Sequence, residues 1–111
     1  MKGIAIIEND KVPVKEYAGQ RVLTFKDIDT MHGRSKGTAS KRFYYHARHY
    51  TQGQDYFELA MDDAMKAFGL TAPNGLIVLT ESGYMLMVKS LNDDLAWQVQ
   101  KRIADSYMDI A

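Results

Sequence analysis

Short apolar runs alternate with stretches of helical spacing along this chain. Ile4-Ala5-Ile6-Ile7 is a run of strand length, followed by a turn at Asn9-Asp10. Val12, Val14 and Tyr17 mark an extended segment, and Pro13, with no N–H to give a ladder, places it at an edge. Ala18-Gly19 has turn chemistry and Arg21-Val22-Leu23-Thr24 returns, so a β-hairpin is predicted across Val12 to Thr24. Phe25, Ile28 and Met31 then switch to helical spacing. Thr24 is the expected N-cap, accepting from the N–H of Lys26 or Asp27, with Asp27 and Asp29 adding negative charge to the early turns. This helix should stop near His32-Gly33.

After the polar connection Arg34 to Gly37, Thr38 is the expected cap of a second helix running to Tyr50. Ala39, Phe43, Ala47 and Tyr50 fall on one apolar stripe of that helix. Lys41, Tyr44, Tyr45 and Arg48 fall opposite, with Arg42 and His49 on a flank. A short helix, a glycine-bearing turn and a second helix with basic exposed residues are the parts of a helix-turn-helix, although this connection is longer than the usual three to four residues.

Farther on, Tyr56-Phe57-Glu58-Leu59 has strand character. Asp62 or Asp63 opens a short helix through Phe68, stopped by Gly69, and Ala72-Pro73-Asn74-Gly75 signals a turn. Leu76 to Leu79 is a strand-length run expected to pair near Phe57. Thr80 caps the next helix, with Glu81 at its positive end and Tyr84, Met87, Val88 and Leu91 as its buried stripe. Asn92-Asp93-Asp94 starts a final helix. Leu95, Val99, Ile103, Ser106 and Ile110 line one face of it, and Trp97, Ala104 and Met108 the reverse. A helix apolar on two sides is sandwiched, either inside the monomer or against a partner.

Charge changes the picture most. The chain has 14 basic and 14 acidic residues, yet Thr30 to Gln54 holds five Lys or Arg and no Asp or Glu. The other residues therefore carry nine basic against 14 acidic side chains, so charge is segregated rather than low. Segregated positive charge on a small domain is a footprint for a polyanion, most often nucleic acid. At 111 residues, with 46% hydrophobic and 25% charged residues, the chain reads as one globular domain over residues 1–111. It has no cysteine, hence no disulfide frame and no thiolate metal site. No apolar run reaches membrane length, and Ile4 to Ile7 is too short for a signal-peptide core. The expected setting is the cytoplasm.

Candidate chemistry thins out on inspection. His46-x-x-His49 could place two imidazoles on one helix turn, but no further zinc ligands stand at a recognisable spacing. Gly33-Arg34-Ser35-Lys36-Gly37-Thr38 is one residue short of a phosphate-binding P-loop, and Thr38 stands where the lysine is required. Asp62-Asp63 and Asp93-Asp94 are explained by capping at helix starts. Most of the seven methionines fit helix stripes and are expected as core filler. No nucleophile–base pairing emerges, so the chain is not expected to be an enzyme and no cofactor is expected.

Several pieces together resemble a known family. They are Val14-Lys15-Glu16-Tyr17-Ala18-Gly19-Gln20-Arg21-Val22-Leu23-Thr24, then Lys26-Asp27-Ile28-Asp29 with His32-Gly33-Arg34, then Lys41-Arg42-Phe43 and Asp55-Tyr56-Phe57. Leu79-Thr80-Glu81-Ser82-Gly83-Tyr84 follows, and last Lys89-Ser90-Leu91-Asn92-Asp93-Asp94-Leu95-Ala96-Trp97-Gln98-Val99. In this order and spacing they resemble the phage ORF-six N-terminal domain, kin of the KilA-N and Bro-N modules. The resemblance implies a DNA-binding domain of prophage origin, usually joined to a variable C-terminal domain in antirepressor-like or regulatory proteins.

The resulting expectation is an α+β domain: an N-terminal β-hairpin, a helix-turn-helix-like pair, a second small strand pair and two C-terminal helices. Its expected partner is double-stranded DNA. On the helical-face argument, Lys41, Tyr44, Tyr45 and Arg48 enter a groove, Arg34, Lys36 and Arg42 contact phosphates, and Thr38 with the helix N-terminus adds a backbone phosphate contact. The rival is a protein-interaction module, a homodimer or a repressor-binding unit, whose contact face is Trp97, Ala104 and Met108. Neither a membrane nor a small-molecule substrate is expected.

Overall fold

The computed structural model describes residues 4–7, 10–91, 101 and 107. The fold is α+β. Strands β1 (Ile4–Ile7) and β2 (Asp10–Pro13) form a two-stranded antiparallel pair. Strands β3 (Lys15–Tyr17) and β4 (Gln20–Thr24) form the predicted hairpin. Its two-residue loop, Ala18-Gly19, has positive φ at both positions, 54° and 78°, as a tight turn that matches strand twist requires. Val12 and Pro13 belong to β2, not to the hairpin, so the extended segment is split between two sheets at Val14.

Helix α1 (Phe25–Met31) starts at a reciprocal cap. Asp27 N–H donates to Thr24 Oγ1 and Thr24 N–H donates to Asp27 Oδ2, both at 3.0 Å. It ends at His32 with two closing bonds, from Gly33 N–H to the Thr30 carbonyl and from Arg34 N–H to the Asp29 carbonyl. Helix α2 (Thr38–Tyr45) follows, then a 3₁₀ turn at Ala47–His49, strand β5 (Tyr56–Leu59), helix α3 (Met61–Phe68), strand β6 (Leu76–Leu79) and helix α4 (Glu81–Leu91).

The two expected strand pairs are not separate. β4 pairs with β6 through Leu23↔Leu79 and Thr24↔Val78, giving one antiparallel sheet in the order β3-β4-β6-β5. Side chains alternate across it as a strand's two-residue period demands. Leu23, Tyr56, Ile77 and Leu79 face the main core with Ile28, Met31, Phe43, Tyr84, Met87 and Leu91 from α1, α2 and α4. Val22, Phe57, Leu59, Leu76 and Val78 face a smaller cluster with Tyr17 and with Phe68 of α3. The predicted α4 stripe of Tyr84, Met87, Val88 and Leu91 is buried throughout.

Three expectations are corrected. The second helix ends at Tyr45 rather than Tyr50: the His46 N–H is shared between the Arg42 and Phe43 carbonyls, marking the change from α to 3₁₀ pitch. Ala47 consequently leaves the apolar stripe and is exposed, while Tyr50 still reaches the core with its ring 4.7 Å from that of Phe43. Of the methionines, Met31 and Met87 are buried, but Met61, Met65 and Met85 are 44–54% exposed and fill no core. Asp62 and Asp63 sit in the first turn of α3 behind an Ala60 cap position, so they complement the helix dipole rather than cap it. The expected final helix, with Trp97, Ala104 and Met108, lies outside the described residues. Among the described residues, no helix is long and apolar enough to cross a membrane.

Tyr107 is bonded to the hairpin. Its hydroxyl accepts from Lys15 N–H at 3.0 Å and donates to the Val22 carbonyl at 2.7 Å, while Arg21 Nη1 donates to its carbonyl. Burial pushes this phenol up to about 12. Beside it, Lys15 Nζ lies 3.0 Å from Asp27 Oδ1 with both side chains largely buried.

Candidate functional site

The basic stretch is displayed on α2 and the 3₁₀ turn after it. α2 is anchored from within by Ala39 and Phe43, at 0% and 3% exposure, and the ring of Phe43 packs against Phe25, Tyr50 and Tyr56. With that side fixed, the 3.6-residue repeat turns Lys41, Tyr44 and Tyr45 outward at i, i+3 and i+4. All three are exposed, Tyr45 most of all at 84%. Arg42 is exposed on the flank. Arg48 is exposed too, but it stands on the 3₁₀ turn rather than on a continuous helix.

The start of α2 differs from the expectation. Thr38 is the first helical residue, not the cap; Gly37 holds the cap position without a side-chain bond of its own. Thr38 Oγ1 instead donates to the Ser35 carbonyl at 2.8 Å. The cap comes from Asp29, at the far side of the turn: its Oδ1 accepts from Ala39 N–H at 2.9 Å and its Oδ2 from Gly37 N–H at 3.0 Å. These are the amides a phosphate would use at this helix end, so the expected backbone phosphate contact there is withdrawn. The sequence places Asp29 in the early turns of α1; its part in α2 is a contact eight to ten residues on, with no local signal.

Arg34 is half-buried and turned away from the row. Its Nη2 donates to the Leu91 carbonyl at 3.2 Å, near the last turn of α4, where a cation suits the helix dipole. Lys36 is exposed in the connection. The exposed cations of the stretch are therefore Lys36, Lys41, Arg42 and Arg48.

Both acids that border the stretch point inward. Asp29 is 5% exposed and serves α2. Asp55, also 5% exposed, accepts from Thr51 N–H at 2.8 Å and from Ser82 Oγ at 2.6 Å. The Asp55 carbonyl in turn accepts from the N–H and the hydroxyl of Thr80, and Thr80 Oγ1 accepts from Gly83 N–H at the start of α4. Gly83 has no alternative there, because a Cβ would stand 1.9 Å from the Asp55 carbonyl oxygen. Tyr84 follows and shares a 2.7 Å hydrogen bond with buried His32. Burial raises the Tyr84 hydroxyl far above the usual phenol range.

His46 is half-buried and His49 exposed, with ring centroids 6.2 Å apart. No group of three or more His, Cys, Asp or Glu among the described residues could hold a metal ion.

The fold and this surface define a small α+β domain that presents a short cationic and aromatic helix from a packed three-helix face. The family model for the ORF6N domain matches residues 12–90, and the chain belongs to that phage-associated family. No curated protein and no solved structure matches the chain. The matched span contains every family-like segment up to Lys89-Ser90. In it, His32, Arg34, Asp55, Thr80, Ser82, Gly83 and Tyr84 make internal contacts, whereas Lys41 and Arg42 are exposed.

Proposed function

We propose that this ORF6N domain binds double-stranded DNA in a phage or prophage regulatory protein of the antirepressor-like kind, and that it is a binding domain rather than an enzyme. Lys41, Tyr44, Tyr45 and Arg48 face a groove, where cations and phenols can meet phosphates and base edges. Lys36 and Arg42 contact the flanking phosphates. Arg34 has a structural part, holding the end of α4. The observation that carries this reading is the exposure of Lys36, Lys41, Arg42 and Arg48 on a stretch without a carboxylate, while hydrogen bonds turn both bordering acids, Asp29 and Asp55, inward.

A mobility-shift or anisotropy titration against duplex DNA over a salt series tests it. With roughly four phosphates neutralised by the exposed cations, log affinity should fall against log salt with a slope of about −3 to −4. The Lys41→Ala/Arg48→Ala double variant should lower affinity at least about tenfold at low salt, two charge-assisted contacts being lost. A slope near zero, or a double variant that binds as the wild type does, overturns the proposal.

A further inference from the structure

A cleft of about 360 Å³ opens beside the 3₁₀ turn, lined by His46, His49, Tyr50, Leu86, Lys89 and Ser90. It lies between the C-terminal end of α2 and the C-terminal half of α4. Its lining combines apolar surface from Leu86 and the Tyr50 ring with three side chains able to carry positive charge and, among the described residues, includes no carboxylate. Lys89 is exposed, and it brings a cation from a segment more than 40 residues beyond Arg48.

We propose that this cleft seats a phosphodiester group of the same DNA that lies along α2, an inference that rests on the DNA-binding reading. Two observations commit it to that ligand. Its histidines adjoin the exposed row in sequence, since His46 directly follows Tyr45 and His49 directly follows Arg48. Its charge is also complementary to a phosphate and to nothing cationic. Lys89 supplies an ammonium, and each imidazole, once protonated, adds a charge-assisted donor.

The site should therefore respond to pH. Imidazole is the side chain that ordinarily changes charge between about pH 5 and 8, and bound phosphate favours its protonated form. Among the described residues, the other groups facing the histidines do not oppose this. Lys89 and Ser90 face them from α4, Arg48 shares the turn, and the Tyr45 ring stands 4.8 Å from that of His46. The Tyr50 hydroxyl is raised to about 12 by burial and by the Asp55 charge. Asp55 itself is held by Thr51 and Ser82. Affinity should then rise as pH falls, because a phosphate contact favours the charged imidazole.

The test is an anisotropy titration of the full chain with a mixed-sequence duplex of about 20 base pairs, at about pH 6 and about pH 8 in fixed moderate salt. Wild type should bind about five- to tenfold tighter at the lower pH, and His46→Gln/His49→Gln should remove most of that difference. Lys89→Ala should weaken binding about threefold or more at both pH values and reduce the salt slope by about 1. If both variants bind as wild type does while Lys41→Ala/Arg48→Ala is impaired, the cleft assignment is overturned and the DNA-binding reading stands. If wild type binds no duplex even at low salt, both fall. Imidazole proton resonances provide a check on unaltered protein: saturating duplex should move those of His46 and His49, and resonances that stay put overturn the cleft assignment whatever the variants do.

Discussion

Asp29 and Asp55 flank the basic stretch in sequence, and each is almost wholly removed from water. Lys41, Tyr44, Tyr45 and Arg48, which lie between them in sequence, are all exposed. The two acids each take up two hydrogen bonds from the protein's own backbone and side chains: Gly37 and Ala39 for one, Thr51 and Ser82 for the other. The helix that carries most of the outward row is anchored from beneath, through Ala39 and Phe43. One region spends its polarity on internal order, and the other leaves it facing solvent. The family-like segments divide the same way. His32-Gly33-Arg34 and Thr80-Glu81-Ser82-Gly83-Tyr84 chiefly brace α1, α4 and the sheet against one another, so their presence reports the fold. The surface proposed to meet a partner lies on the segment between them.

That contrast breaks most visibly at Gly83. A methyl group there would stand 1.9 Å from the Asp55 carbonyl oxygen, which is backbone and cannot be relieved by a side-chain rotation. Gly83→Ala should cost about 3 kcal/mol or more, or prevent folding, because both α4 and the Asp55 segment must shift. Urea denaturation measures it. Stability within about 0.5 kcal/mol of wild type would mean that the two segments do not approach this closely.

Asp29→Ala comes next. It leaves the Gly37 and Ala39 amides without their acceptor at a partly buried helix start, and about 2 kcal/mol of stability should go with it. Asp29→Asn keeps one carbonyl oxygen and should fall between. If the expected cap at Thr38 were the real one, Asp29→Ala would be mild and Thr38→Ala severe, so denaturant midpoints of the pair rank the two arrangements directly.

What the sequence announced was local. The hairpin turn at Ala18-Gly19, the Thr24 cap with Asp27 and the buried stripe from Tyr84 to Leu91 each depend on residues within a few positions, where period and capping chemistry are readable. The joining of β4 to β6 was not, since Leu23 meets Leu79 across more than 50 residues and either strand could have stood at an edge. Asp29, Asp55 and Tyr107 escaped for a related reason: a carboxylate or phenol in a list of polar residues carries no mark of the distant amide it will meet. The outward face of α2 was legible because amphipathic spacing ties exposure to the buried stripe. Its end was not, because the Phe43–Tyr50 ring contact accompanies a change of pitch at His46 that alternating polarity does not encode.

The smallest expected effects lie on the outward row itself, and they separate two neighbouring phenols. Tyr44 is 62% exposed, and its ring still meets Phe43 at 5.3 Å and Phe25 at 6.3 Å. Tyr45 is 84% exposed, with its ring against His46. Tyr44→Ala should therefore cost about 1 kcal/mol, from lost edge contacts and partial burial, whereas Tyr45→Ala should change stability by less than about 0.5 kcal/mol. If the row meets DNA, the order reverses in binding: Tyr45, with more free surface to lose to a partner, should be at least as costly as Tyr44. Thermal melts and duplex titrations on the same two variants yield both rankings. Equal and negligible effects on binding would limit the contact to the cations. A large loss of stability in Tyr45→Ala would instead show that the phenol belongs to the interior after all, and the division between a braced region and a presented one would not hold at its clearest point.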